Sequence, residues 1–318
     1  MKHIETAFKG KNSAWRYLIL IFAVFLATNS VGAIPMIIGF AFKSMSDPDM
    51  AGRLASDTNN LNLLGFDPNI TMIMLLFPFL AGLIAFILLI KPINGRTFVQ
   101  TVNGNNAIRW KRILVSGGVW IFFSAVYLIV YKGIDPSNFR LNNTSVTLVY
   151  LIIISLFLIP FQAALEEVIF RGYLMQGFAV LLKNRWAPVI ITSLLFAVLH
   201  AWNPEIKEFG FFTMMPQYMM FGLLFGVITV IDDGIEIAMG AHIANNIFLS
   251  IMVTNSSSVF QTPALFVQAR IEPWIEFSAL AVTSVAYYMV LKLIYRWDNP
   301  GILFKKVVPE TGESIQTV

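Results

Sequence analysis

No cysteine occurs among the 318 residues, so disulfides, thiolate metal sites and a cysteine nucleophile are all excluded. Charge is scarce as well. Asp, Glu, Lys and Arg make up 13% of the chain against 57% hydrophobic residues, a balance too apolar for a soluble domain of this length. No basic stripe interleaved with aromatics is present, which removes nucleic acid as a partner and leaves the net charge of +4 to be explained otherwise. The chain also lacks an internal repeat and a broken-helix pair, which counts against a transporter.

What fills the chain is apolar sequence in long runs. They fall at roughly 15–42, 71–90, 113–131, 146–165, 187–202, 213–231, 235–254 and 273–295, each near the length needed to cross about 30 Å of hydrocarbon. The pattern predicts an all-α, polytopic integral membrane protein with about eight transmembrane helices. The fifth run is the shortest, and its sixteen or so apolar residues equally fit a partly re-entrant segment. The first follows MKHIETAFKGKNSAWR, which has the basic character of a signal-peptide n-region. It far exceeds the roughly 7 to 15 residues of a secretory h-region, so it reads as a retained signal anchor.

Basic residues set the orientation. With the N-terminus in the cytoplasm and sides alternating, the inner segments hold Lys2, Lys9, Lys11, Arg16, Lys91, Arg96, Arg109, Lys111, Arg112, Lys183, Arg185, Lys292, Arg296, Lys305 and Lys306, fifteen in all. The outer loops hold six, namely Lys43, Arg53, Lys132, Arg140, Lys207 and Arg270. The positive-inside rule then predicts a multi-pass protein of the cell membrane with both termini cytoplasmic. One inner turn dissents, since Asp232, Asp233 and Glu236 bring acid and no base. Residues 1–296 are expected to form a single membrane domain and 297–318 a cytoplasmic tail. Loop 44–70 is expected outside and loop 91–112 inside; within the latter, 97–112 reads as an interfacial segment or as a solvated connection. Gly222 with Gly226, and Gly240 with Ala244, are small-xxx-small steps that let helices approach closely.

Against this background, Leu-Glu-Glu-Val-Ile-Phe-Arg-Gly-Tyr-Leu at 165–174 is anomalous. Three charges well inside the membrane would cost roughly 8 to 10 kcal/mol before any pairing. Glu167 and Arg171 are four apart with the acid first, the favourable order for a helical pair. Glu166 lies about 100° round the helix from Glu167 and is left over. A bland alternative ends the helix at Leu165 and puts all three charges among the headgroups. The histidines argue otherwise: His3 sits in the polar N-terminus, but His200 and His242 both lie in apolar spans. Asn246 shares a helix face with His242. Ionisable residues gathered inside a membrane mark a functional site by default.

The three pieces, Glu-Glu-x-x-x-Arg at 166–171, Phe-x-x-x-His at 196–200 and His-x-x-x-Asn at 242–246, resemble the motifs of the CAAX prenyl protease and bacteriocin-processing family of intramembrane endopeptidases. The motif-bearing core covers about 145–255. Peptide hydrolysis needs an activated water and donors for the charge that develops on the carbonyl oxygen. Glu166 is expected as general base, His200 as a partner that helps to hold the water, and His242 with Asn246 as oxyanion donors. Glu167 and Arg171 are expected to support the site from behind. Zinc is the competing mechanism, with Glu166, His200 and His242 as ligands, and the resemblance leaves it open because such proteins are commonly labelled metalloproteases; the reading taken is that no cofactor is required. The implied substrate is a membrane-associated peptide or lipidated protein, through CAAX-type cleavage or bacteriocin-precursor processing. A non-catalytic membrane scaffold or regulator with the same motifs is the reading from a different class.

Overall fold

The computed structural model describes residues 3–50, 52, 65–105, 107–142 and 144–308. Residues 53–64 of the expected outer loop, including Arg53, lie outside them. The apolar runs are helices. Among the described residues six are long and apolar enough to cross a membrane: Ala14–Ser46, Pro68–Asn94, Trp110–Ile134, Val146–Leu182, Phe211–Asp232 and Pro273–Tyr295. The expected fifth and seventh spans are the helices Trp186–Leu199 and Glu236–Met252, of 14 and 17 residues. At 1.5 Å per residue they reach about 21 and 26 Å, short of the roughly 20 residues that a full crossing takes. The expected eight thus divide into six full-length helices and two short ones.

Local sequence sets the ends of these helices. Asp67 accepts from the Asn69 amide at the start of Pro68–Asn94, and Gly95 closes that helix in the left-handed conformation at φ 70°. Ser145 caps the helix that begins at Val146. The exposure pattern is that of a membrane protein. Leu114, Ile129, Val282 and Leu293 are each more than 70% exposed while Glu167 and Arg171 are wholly buried, so the apolar side chains face outward and the charges inward.

The short helices pack inside the bundle, Trp186–Leu199 against Phe211–Asp232 and Glu236–Met252 against both Trp110–Ile134 and Val146–Glu167. The small-residue steps make this packing close. A Cβ on Gly222 would stand 2.9 Å from the Ser193 Cα, and one on Gly240 would collide with the Ile113 carbonyl.

Loops sort to two ends, in the alternation that the charge pattern predicts. At one end the Ile235 amide donates to the Val102 carbonyl at 2.9 Å, the Val307 amide to the Lys183 carbonyl at 3.0 Å, and Arg185 pairs with Glu5. At the other, Phe139–Leu141, Phe266–Gln268 and Val253–Thr254 form a small sheet, the first pair antiparallel and the second parallel.

Four expectations change at the first end. The acidic turn is neutralised by neighbours distant in sequence: Arg109 grips Glu236, with Nε 3.0 Å from Oε1 and Nη2 2.5 Å from Oε2, and Arg112 pairs with Asp232. Segment 97–112 is neither a free interfacial helix nor a solvated loop. Its Phe98–Val102 turn is built into the bundle, with Thr101 and Val102 fully buried. A Cβ on Gly172 would stand only 2.8 Å from the Thr101 carbonyl, so glycine is what allows that approach. His3 is wholly buried too. Its amide donates to Asp233 at 2.9 Å and its Nε2 lies 3.2 Å from the Arg171 carbonyl. Leu303 and Val307, from the expected tail, join a core with Ile4, Met175 and Ala179.

Candidate intramembrane hydrolytic site

The helix carrying the two glutamates does not stop at Leu165. Val146–Glu167 runs on through a π-helical segment, Val168–Leu174, into Met175–Leu182, one continuous rod of 37 residues. Glu166 therefore lies about 30 Å from its start and about 24 Å from its end, so the helix end at Leu165 that the headgroup alternative supposes is not there. The next helix returns after a turn at Lys183, whose φ of 54° is left-handed. It carries His200 about 21 Å back along its axis, to the depth of Glu166. A π segment widens the helix by one residue per turn and recurs at functional sites.

Burial around these residues is nearly complete, with Glu167 and Arg171 at 0% exposure and Glu166 and His242 at 6%. Arg171 Nη1 lies 3.0 Å from Glu167 Oε1, as the spacing predicts, and the guanidinium sits 4.2 Å over the Phe196 ring. Glu167 has a second partner that no local spacing could reveal. His242 Nδ1 is 2.7 Å from the same Glu167 oxygen, from a helix 75 residues away. On its other side, His242 Nε2 is 3.7 Å from Glu166 Oε2. Glu166 is therefore not left over. Its Oε1 accepts from the amide of Gln162, one turn earlier on its own helix, and Gln162 Oε1 accepts from Asn246 Nδ2 at 2.9 Å. Glu166 Oε2 has no protein hydrogen-bond donor among the described residues.

His200 joins the group through rings. It caps its helix at φ −88°, ψ 2°, in the sparsely populated bridge region where many active-site residues sit. Its Nδ1 lies 2.7 Å from the Phe196 carbonyl, its ring stacks on Tyr218 at 4.3 Å, and Phe196 contacts both it and His242, at 4.6 and 6.0 Å between centroids. Among the described residues no hydrogen bond links His200 to either glutamate. Gln162 and Tyr218 were missed by sequence reasoning. A glutamine one turn before a glutamate and an aromatic in an apolar span are too common to stand out.

These hydrogen bonds fix proton positions. A carboxylate and a carbonyl accept only, so Nδ1 donates in both histidines. His200 is then left with Nε2 as an acceptor when neutral, the polarity needed to hold a water proton. His242 can donate from Nε2 only when it carries both protons, with Glu167 balancing the charge as a buried carboxylate does behind a catalytic imidazole. For zinc the arrangement is a poor fit. No three His, Asp or Glu side chains are gathered as a metal set among the described residues.

Fold and site together define a class: a polytopic helical membrane protein with a buried carboxylate–histidine–amide cluster suited to hydrolysis. A family model described as type II CAAX prenyl endopeptidase Rce1-like matches residues 145–248, the stretch that carries all three motifs. The uncharacterized protein YyaK of Bacillus subtilis (strain 168) is 31% identical over 283 residues, which cover 87% of this chain and 91% of that one. No solved structure matches the chain. The chain belongs to the Rce1-like, type II CAAX prenyl endopeptidase family, and membership implies a CAAX-type intramembrane endopeptidase.

Proposed function

We propose that this protein hydrolyses a peptide bond of a membrane-associated peptide or lipidated protein by a glutamate-activated water and without a metal. The observation that carries the reading is Glu166 Oε2, buried and without a protein donor, 3.7 Å from His242 Nε2 while Glu166 Oε1 is held from behind by Gln162. In this reaction Glu166 takes a proton from water as the water oxygen bonds to the carbonyl carbon. The electron pair moves to the carbonyl oxygen, where His242 Nε2 and the second N–H of Asn246 donate. Glu166 then returns the proton to the leaving nitrogen as the C–N bond breaks. His200 holds the second proton of the water. Glu167 holds the imidazole of His242, and Arg171 holds Glu167 in place.

The basic residues on the loops at one end support placing that end, with both termini, in the cytoplasm of the cell. The test is cleavage of candidate membrane peptides, CAAX-type prenylated and bacteriocin-precursor sequences alike, by detergent-purified protein, with Glu166→Ala as control. Turnover that is lost in Glu166→Ala and indifferent to chelators is expected. Chelator inhibition reversed by Zn²⁺ would replace the metal-free mechanism, and equal turnover in Glu166→Ala would remove the glutamate. Binding of a membrane partner without any cleavage would favour a scaffold.

A further inference from the structure

Four hydrogen bonds link three helices in a single line that ends on Glu166. The Trp120 indole Nε1 donates to Asn245 Oδ1 at 3.2 Å, Asn245 Nδ2 to Asn246 Oδ1 at 3.0 Å, Asn246 Nδ2 to Gln162 Oε1 at 2.9 Å, and Gln162 Nε2 to Glu166 Oε1. The two ends of this line have opposite and fixed polarity. An indole N–H can only donate and an ionised carboxylate can only accept, whereas each amide has one end of each kind. All three amides must therefore point the same way. Turning one of them round would set oxygen against oxygen, or NH₂ against NH₂, among atoms that are largely out of water, where an unmade hydrogen bond is expensive.

We propose that Trp120, Asn245 and Gln162 are positioning residues that act as an oriented amide relay. The relay turns the NH₂ of Asn246 toward the carboxylate side, where its second N–H is available to an oxyanion, and ties up Glu166 Oε1 so that Oε2 is the oxygen that takes the proton. Trp120 is 2% exposed and packs edge-on to Tyr287 with centroids 4.9 Å apart, so the donor that starts the line is rigidly held. The inference rests on the roles given above to Glu166 and Asn246, but the hydrogen-bond line itself does not depend on them.

Two measurements on the full-length, detergent-purified protein separate these layers. The first needs no activity: thermal unfolding of Trp120→Phe, Gln162→Met and the double variant. Trp120 and Gln162 are three hydrogen bonds apart, so independent sites would give midpoint shifts that add. A relay gives a double-variant shift that departs from the sum by about 2 °C or more. Additive shifts overturn the relay. The second uses a farnesylated peptide ending in a CAAX sequence as the probe. Gln162→Met is expected to lower kcat on the order of 10-fold with KM within about twofold, less than the 10²- to 10³-fold cost of deleting an oxyanion donor outright. In an Asn246→Ala background the same change should cost much less, because part of its effect passes through Asn246. An equal loss in both backgrounds shows Gln162 to be merely structural and overturns the positioning role. If Asn246→Ala or Glu166→Ala cleaves the probe as well as the wild type does, or if no form cleaves it, the endopeptidase assignment fails on that probe. The unfolding cycle then decides the relay alone.

Discussion

At the end of the bundle Arg109 grips Glu236 with two nitrogens, Arg112 pairs with Asp232, and the Trp297 indole and the Asn103 amide fill in around them. Midway along the bundle Glu167 pairs with the Arg171 guanidinium and the His242 imidazole, and Glu166 lies 3.7 Å from that same imidazole. The first cluster has two acids and two bases and ties three segments together. Among the described residues the second has an acid in excess of its one permanent cation, and Glu166 Oε2 is left without a donor. Buried charge is tolerable when it is paired and hydrogen-bonded. In the proposed reaction the cluster with acid in excess supplies the base, whereas the charge-balanced one fastens.

The largest effect should come from removing the unpaired acid. Glu166→Gln should lower turnover by about 10² to 10⁴-fold, the range for a general base, with little change in thermal midpoint, as measured by peptide cleavage alongside unfolding. A variant that loses activity only in proportion to folded protein would erase the contrast between the clusters. Glu236→Gln is the mirror experiment. It breaks a buried pair, at a cost of about 3 to 5 kcal/mol in stability, and the protein that remains folded should turn over normally. Glu167→Gln should do both, because it unpairs Arg171 and also releases His242. Unchanged stability with no activity would move Glu167 wholly to the chemistry. His242→Ala should lose roughly 10²- to 10³-fold and retain a residue of activity that is indifferent to chelators; a dead variant whose parent responds to Zn²⁺ would sink that expectation.

The smallest effect concerns pH and the fastening end. Burial holds His3 below the usual histidine value, despite Asp233 and Glu236 nearby. The unfolded chain therefore takes up the proton first as pH falls below about 6.5. The contribution of His3 to stability is present above that pH and is lost as pH falls through the folded value. Between pH 7.5 and 5.5 the thermal midpoint of wild type should drop further than that of His3→Gln, and parallel curves would show that another group is responsible.

Much of this arrangement is legible in the amino-acid sequence alone. Hydrophobic runs locate the helices because a bilayer imposes a length, and Glu167 with Arg171 follows from helix periodicity. The motifs pick out Glu166, His200, His242 and Asn246 as a set. What stays hidden depends on contacts across the bundle: the bond from Glu167 to His242, the bridge through Gln162, and the neutralisation of Asp232 and Glu236 by Arg109 and Arg112. None of these leaves a local pattern. The continuation of the glutamate helix past Arg171 is hidden for another reason, since charged residues in sequence look like a boundary until their partners are known.

The docking of the N-terminal turn has a consequence in time. Ile4 shares a core with Leu303 and Val307, and Glu5 pairs with Arg185. During synthesis at about 5 to 20 residues per second, the first of these residues would wait on the order of 15 to 60 s for the last. Through that interval the core around Ile4 would lack Leu303 and Val307, and the helices would enter the membrane before the clasp at that end could shut. An early arrest of translation should therefore leave a membrane-inserted chain whose first residues are open to protease, and that protection should arrive only with the final helix and the segment that follows it.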